Sequence, residues 1–154
     1  MGPVPLVSDM DLSEITPQLY VGTTPGREDY ALLHQLGIGL VVNLRIERRP
    51  VPDPHNPPIP ILWLPVPDFP MLPIPVLALK KGVLAAREAM AQGRIVYAHC
   101  AEGRHRGPAL AACILISQGQ APDQAMQLIK ERRPTADPGV WYIRRQILRF
   151  AKSL

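Results

Sequence analysis

The segment YAHCAEGRHRG, residues 97–107, sets one thiol, Cys100, after a short apolar run and follows it with Gly103, Arg104, His105, Arg106 and Gly107. A cysteine beside guanidinium groups is a nucleophile in an anion-binding setting, because positive charge and backbone dipoles favour the thiolate. Five residues, Ala101, Glu102, Gly103, Arg104 and His105, separate Cys100 from Arg106. That length lets the backbone curl into a cup whose N–H groups converge on a tetrahedral oxyanion. Gly103 permits the turn without a Cβ penalty. Gly107 and Pro108 are the preferred opening of a helix, whose positive end would point at the same spot. Arg106 can grip two phosphate oxygens with its planar fork while the amides hold the rest as charge builds. Phosphoryl transfer needs mainly positioning and charge stabilisation, and this loop offers both.

Such a loop needs a rigid strand before it and a helix behind it. RIVYAHC (94–100) reads as a buried strand ending at the thiol, and GPALAACILISQG (107–119) as a central buried helix. Upstream, ITPQLYVG (15–22) reads as a short strand, and REDYALLHQLG (27–37) has the apolar spacing of a helix stopped by glycine. IGLVVNLR (38–45) is a β-branched run suited to a strand covered on both faces. Residues 47–58 read as a loop, and IPILWLPV (59–66) as a strand whose prolines suit an edge. Residues 76–93, 121–134 and 137–154 carry helical periodicity. The expectation is one α/β domain over residues 1–154, with a central, mostly parallel sheet of four or five strands flanked by helices. The cup then lies at the carboxyl end of a strand beside a helix N-terminus, where open α/β sheets bind ligands.

Composition narrows the partners. The chain has 154 residues, enough to bury roughly two-thirds of its unfolded surface. Its net charge of +4 and isoelectric point near 9.4 favour anionic partners. Eight aromatic residues and no basic run interleaved with them argue against a nucleic-acid platform. With two cysteines, no signal-like start and no apolar stretch near the roughly 18 residues of a membrane span, the expectation is a soluble cytoplasmic monomer. The nineteen prolines cluster over residues 50–75 and read as stiffened loops.

HCAEGRHRG resembles the His-Cys-x5-Arg signature of the cysteine-based protein tyrosine phosphatases, and the short chain is similar to their dual-specificity branch. The resemblance covers most of the chain, through LYVG (19–22), GIGLVVNLR (37–45), WLPVPDFP (63–70) and RRPTADPGVWYIRRQILRF (132–150). It implies a phosphate-monoester hydrolase, with Cys100 as the nucleophile that forms a cysteinyl-phosphate and Arg106 as the phosphate clamp. The loop residues 101–106 would bind the phosphate. It further implies that His99 helps to keep the thiol ionised, and that Asp68, on an upstream loop, protonates the leaving group and later activates water. Gln146 would lie near the site. The resemblance implies neither metal nor cofactor in the reaction. Phosphorylated proteins or peptides are the implied substrates. The GRHR string, similar to the GKHR of atypical members, adds inositol phosphates or pyrophosphates.

The chain departs from the family at Gly107, where a Ser or Thr hydroxyl usually eases departure of the sulfur. That change predicts slow breakdown of the intermediate and leaves open a phosphate-binding module with weak turnover. A rhodanese-type sulfur transferase is a further alternative. Asp53 in VPDPHN is the nearest rival to Asp68. Arg45 could reinforce an anionic pocket or simply close its strand. Cys113, Trp63 and Trp141 are read as core.

Overall fold

The computed structural model describes residues 9–154. Residues 1–8, the start of the segment read for a leader, lie outside the described residues. Five strands form one sheet in the order β1-β2-β5-β3-β4: β1 (Leu12–Thr16), β2 (Leu19–Gly22), β3 (Ile38–Arg45), β4 (Ile61–Val66) and β5 (Ile95–His99). Among the described strand pairs only β1–β2 is antiparallel. The strand expected over 15–22 is thus broken by a hairpin turn: Ile15 and Thr16 end β1, and Leu19–Gly22 form β2. Pro17, which lacks an N–H and fixes its φ, marks the turn between Thr16 and Leu19.

The helices are α1 (Tyr30–Gln35), preceded by a 3-10 turn at Arg27–Asp29, then α2 (Val76–Ala91), α3 (Arg106–Ser117), α4 (Pro122–Arg132) and α5 (Trp141–Lys152). Alternation along the strands sends side chains to two cores. Leu40, Val42, Leu44, Val96 and Ala98 face α2 to α5, whereas Ile38, Val41 and Tyr97 face Tyr30 and Leu33 of α1 and Ile59 of the loop between β3 and β4. Helix α3 is buried along nearly its whole length because it packs between the sheet and its neighbours, which explains its lack of charged residues after Arg106. β4 is an edge strand, and this position tolerates Pro65. No described helix is long and apolar enough to cross a membrane.

Trp63 and Trp141 are not core residues. Trp63 lies on the edge strand and donates its indole N–H to the Arg45 carbonyl at 2.8 Å. Trp141, the first residue of α5, is 61% exposed. Cys113 is buried in α3 as expected, and burial pushes its thiol well up.

Candidate active site

β5, the central strand, ends at His99, and residues 100–105 curl over the N-terminus of α3. Scaffold groups hold the carbonyls of this loop. Thr24 Oγ1 donates to the Cys100 carbonyl at 3.0 Å, and the Asp137 amide donates to the Arg104 carbonyl at 2.7 Å. The buried Arg133 donates to the carbonyls of Glu102 and Gly103, each at 2.9 Å, while Asp11 clasps its other edge at 2.9 and 3.0 Å. The amides of residues 101–105 have no protein acceptor among the described residues. Such free, adjacent N–H groups are the donors of an anion nest.

Gly103 makes the turn at φ +66°. A Cβ there would stand 2.7 Å from both the Gly22 carbonyl oxygen and Arg133 Nη2. Gly103 therefore shapes the loop from behind and does not line the cavity. The lining residues are Asp68, Cys100, Ala101, Glu102, Arg104, His105 and Arg106, around a volume of ≈ 210 Å³. Glu102 and Arg104 are exposed at the rim. The Gly107 amide, in the first turn of α3, donates to Cys100 Sγ at 3.4 Å, so the helix N-terminus meets the sulfur directly.

Arg106 is 4% exposed. Its Nη1 and Nη2 reach the Glu47 carboxylate at 2.7 and 2.9 Å, and Nη1 also donates to the Val66 carbonyl at 3.1 Å. Its Nε is buried with no partner among the described residues. This pairing draws the Glu47 carboxyl down to about 2, through the Arg106 hydrogen bond above all. Arg45 neither faces the cavity nor merely closes its strand. It bridges Thr24 Oγ1 at 2.9 Å and Glu47 Oε2 at 3.2 Å, behind the loop.

Asp68 reaches the cavity from the loop between β4 and α2. Tyr142 Oη donates to its Oδ1 at 2.7 Å, and His105 Nδ1 stands 2.9 Å from its Oδ2. Burial and then Asp68 push the Tyr142 phenol up to about 12, so it remains a donor through the neutral range.

One expected residue falls elsewhere. Gln146 faces inward from α5, away from the cavity, and donates Nε2 to the Ile74 carbonyl at 2.7 Å, pinning the far end of the Asp68 loop. His99 is buried, and burial lowers its pKa to about 4. It is therefore uncharged near neutrality and lends the thiol no positive charge, although its Nδ1 approaches the Cys100 carbonyl at 3.4 Å. Glu47, Tyr142 and Arg133 were not singled out from sequence. Each is a charged or polar residue of ordinary appearance, brought to the loop only by tertiary contacts.

The model of the dual specificity phosphatase catalytic domain matches residues 19–153. Mouse dual specificity phosphatase 28 is 30% identical over 132 residues, which cover 84% of this chain and 78% of that protein. Human dual specificity protein phosphatase 16 is 31% identical over 152 residues, 96% of this chain and 22% of that longer protein. Among solved structures, a mouse putative dual specificity phosphatase complexed with zinc tungstate superposes with a TM-score of 0.86 at 24% identity, covering 99% of this chain and 93% of that one. PTPMT1 in complex with PI(5)P gives 0.80 at 20% identity, with 92% and 95% coverage.

Proposed function

Because the chain belongs to the dual-specificity phosphatases and is a hydrolase of phosphoric monoesters, we propose that Cys100, Arg106 and Asp68 carry the reaction in a cavity built by residues 100–107. One observation carries this assignment: Arg106, which lines that cavity, keeps a buried Nε with no partner among the described residues, while Glu47 holds the other edge of the guanidinium. Buried donors are nearly always satisfied, and a phosphate oxygen in the cup satisfies this one.

In the first step Cys100 Sγ attacks phosphorus, the P–O bond to the leaving group breaks, and Asp68 gives that oxygen its proton. The free amides of the loop and Arg106 hold the three equatorial oxygens as charge spreads over them. Tyr142 donates to Oδ1 and His105 Nδ1 lies 2.9 Å from Oδ2, so the carboxyl is held in place at the cavity. In the second step water attacks the cysteinyl-phosphate, Asp68 takes its proton and the S–P bond breaks. The Gly107 amide, 3.4 Å from Sγ, is the donor that stabilises the departing sulfur. Among the described residues no side-chain hydroxyl assists there, and this supports slow breakdown of the intermediate.

The substrates are phosphorylated proteins or peptides, on tyrosine and on serine or threonine. Inositol phosphates form a second reading, favoured by the exposed Arg104 at the rim of the cavity and by a structural neighbour solved with PI(5)P. Both cysteines are free, and a thiolate nucleophile works in a reducing compartment, which supports a cytoplasmic setting. Steady-state hydrolysis of p-nitrophenyl phosphate tests the chemistry. The protein turns over, Cys100→Ser does not, and a bell-shaped pH profile reports a thiolate working with a protonated acid. Binding of phosphate without turnover would overturn the enzyme assignment. Rates on a panel of phosphopeptides and inositol phosphates separate the two substrate classes.

A further inference from the structure

On the other face of the sheet, away from the cup, residues 47–60 fold around a second carboxylate. The Asp53 side chain is fully buried, and its oxygens accept the amides of His55 at 2.9 Å and Ile59 at 2.8 Å. Two imidazoles converge on it from different elements. His34 Nε2, from the last turn of α1, lies 2.6 Å from Oδ2, and His55 Nδ1 lies 2.6 Å from Oδ1. The rings stand with centroids 4.5 Å apart. One ligand atom from each of the three residues falls within 4.8 Å of the others.

We propose that His34, Asp53 and His55 form a binding site for a divalent late transition metal, with zinc as the best match. Two imidazoles and one carboxylate are a donor set that suits zinc, and three protein ligands leave a fourth tetrahedral position for water. The buried carboxylate is oriented by backbone amides, the type of outer support that metal ligands use. The imidazoles are 35% and 43% exposed, so a hydrated ion reaches them from solvent. Metal bonds of about 2.0–2.2 Å need the nitrogen–oxygen gaps to open by several tenths of an ångström. The mobile partners are the histidines, while Asp53 stays fixed by its amides. On binding, each neutral ring carries its proton on the nitrogen that faces away from the metal, so no redox change or added reactant is involved.

The consequence is a staple. The metal would fasten α1 to the loop whose first residues include Glu47, the partner of Arg106, without touching the reacting atoms. Hydrolysis by Cys100 does not depend on this site, so the two assignments fail separately.

The test uses the full chain carrying Cys100→Ser, which removes the competing thiolate, after chelation and dialysis. Calorimetric titration with zinc chloride is expected to give one ion per chain, and the melting temperature is expected to rise with zinc. His34→Gln and His55→Asn keep an N–H donor for Asp53 where Nε2 and Nδ1 now lie, and so preserve the hydrogen-bonded loop. Each is expected to weaken zinc binding more than about tenfold. Should either variant fail to fold, imidazole NMR spectra of the parent protein decide. Zinc then shifts His34 and His55 while His99 and His105 stay unmoved. Absence of zinc binding, unchanged affinity in both variants, or shifts confined to His99 and His105 would overturn the proposal.

Discussion

Asp68 and Asp53 both follow a proline and are met by histidine, yet the fold gives them opposite environments. Asp53 receives two backbone amides and two imidazoles. Burial opposes its ionisation, but those hydrogen bonds outweigh burial and hold its carboxyl well below the usual range. Asp68 is 29% exposed at the cavity and meets only two side-chain partners among the described residues, Tyr142 and His105. A carboxylate saturated by amides is a fixed anion that organises a loop. One without amide donors, open to the cavity, is left free for the acid–base part proposed for Asp68.

The largest expected effect separates the pair. Asp68→Asn should lower kcat by about 10²–10⁴-fold, with a greater loss on poor alkyl leaving groups than on p-nitrophenyl phosphate. Its folding should be nearly unchanged. Asp53→Asn should do the reverse, losing about 3 kcal/mol of stability because the amide NH₂ confronts donors, while the folded fraction keeps its kcat. Urea melts run beside kinetics on both variants would break the comparison if Asp53→Asn inactivated a well-folded protein.

Glu47 sharpens it. Its carboxyl clasps Arg106, so Glu47→Gln should raise KM for an aryl phosphate by about 10-fold or more, the worth of a charged hydrogen bond, with a smaller change in kcat. The folded-state pKa of about 2 lies below the ordinary value of 4.5, so the stabilisation is fully present above pH 4.5. It fades as pH falls toward 2. The difference in stability between the parent protein and Glu47→Gln should shrink over that window, and a difference that grew there would refute the pairing.

What was legible in the sequence follows the same division between local and distant partners. Cys100, Gly103 and Arg106 lie within seven residues, so strand, loop and helix start could be read from one contiguous stretch. Asp68 was legible through its proline-bounded loop and the resemblance. The residues that brace the site were hidden because their partners are remote. Glu47 meets Arg106 across 59 positions, Arg133 meets Gly103 across 30, and Tyr142 meets Asp68 across 74. In sequence Arg133 belongs to a basic helix end, and nothing local distinguishes a buried clamp from a solvated charge. Gln146 and Trp141 show the converse error. Periodicity identified α5 but not its rotation, which turns Gln146 toward Ile74 and leaves Trp141 in solvent.

A smaller effect tests the positioning of the acid. Tyr142→Phe removes one hydrogen bond to Asp68 and should lower kcat about fivefold, near 1 kcal/mol. The phenol is pushed up to about 12 and does not titrate in the assay range. The variant should therefore leave the alkaline limb of the pH profile unaltered, and the loss of an ionisation there would assign Tyr142 a different part.

The smallest structural change is Gly107→Ser, which bears on the second half of the reaction. A Cβ at Gly107 would lie 3.3 Å from the Ala98 carbonyl oxygen, 3.4 Å from Val21 Cγ1 and 3.5 Å from His99 Cα. The side chain therefore fits with shifts of a few tenths of an ångström and a stability cost of about 1 kcal/mol or less. Its hydroxyl adds a second donor for Cys100 Sγ beside the 3.4 Å amide, and a better-solvated sulfur leaves phosphorus more readily. The parent protein should release a burst of p-nitrophenol followed by a slower steady state. The serine variant should show a reduced burst and a faster steady state, about fivefold for one hydrogen bond. Rapid-mixing traces of the two proteins decide. Equal steady-state rates with no burst in either would mean that formation of the cysteinyl-phosphate, governed by Asp68, already limits turnover.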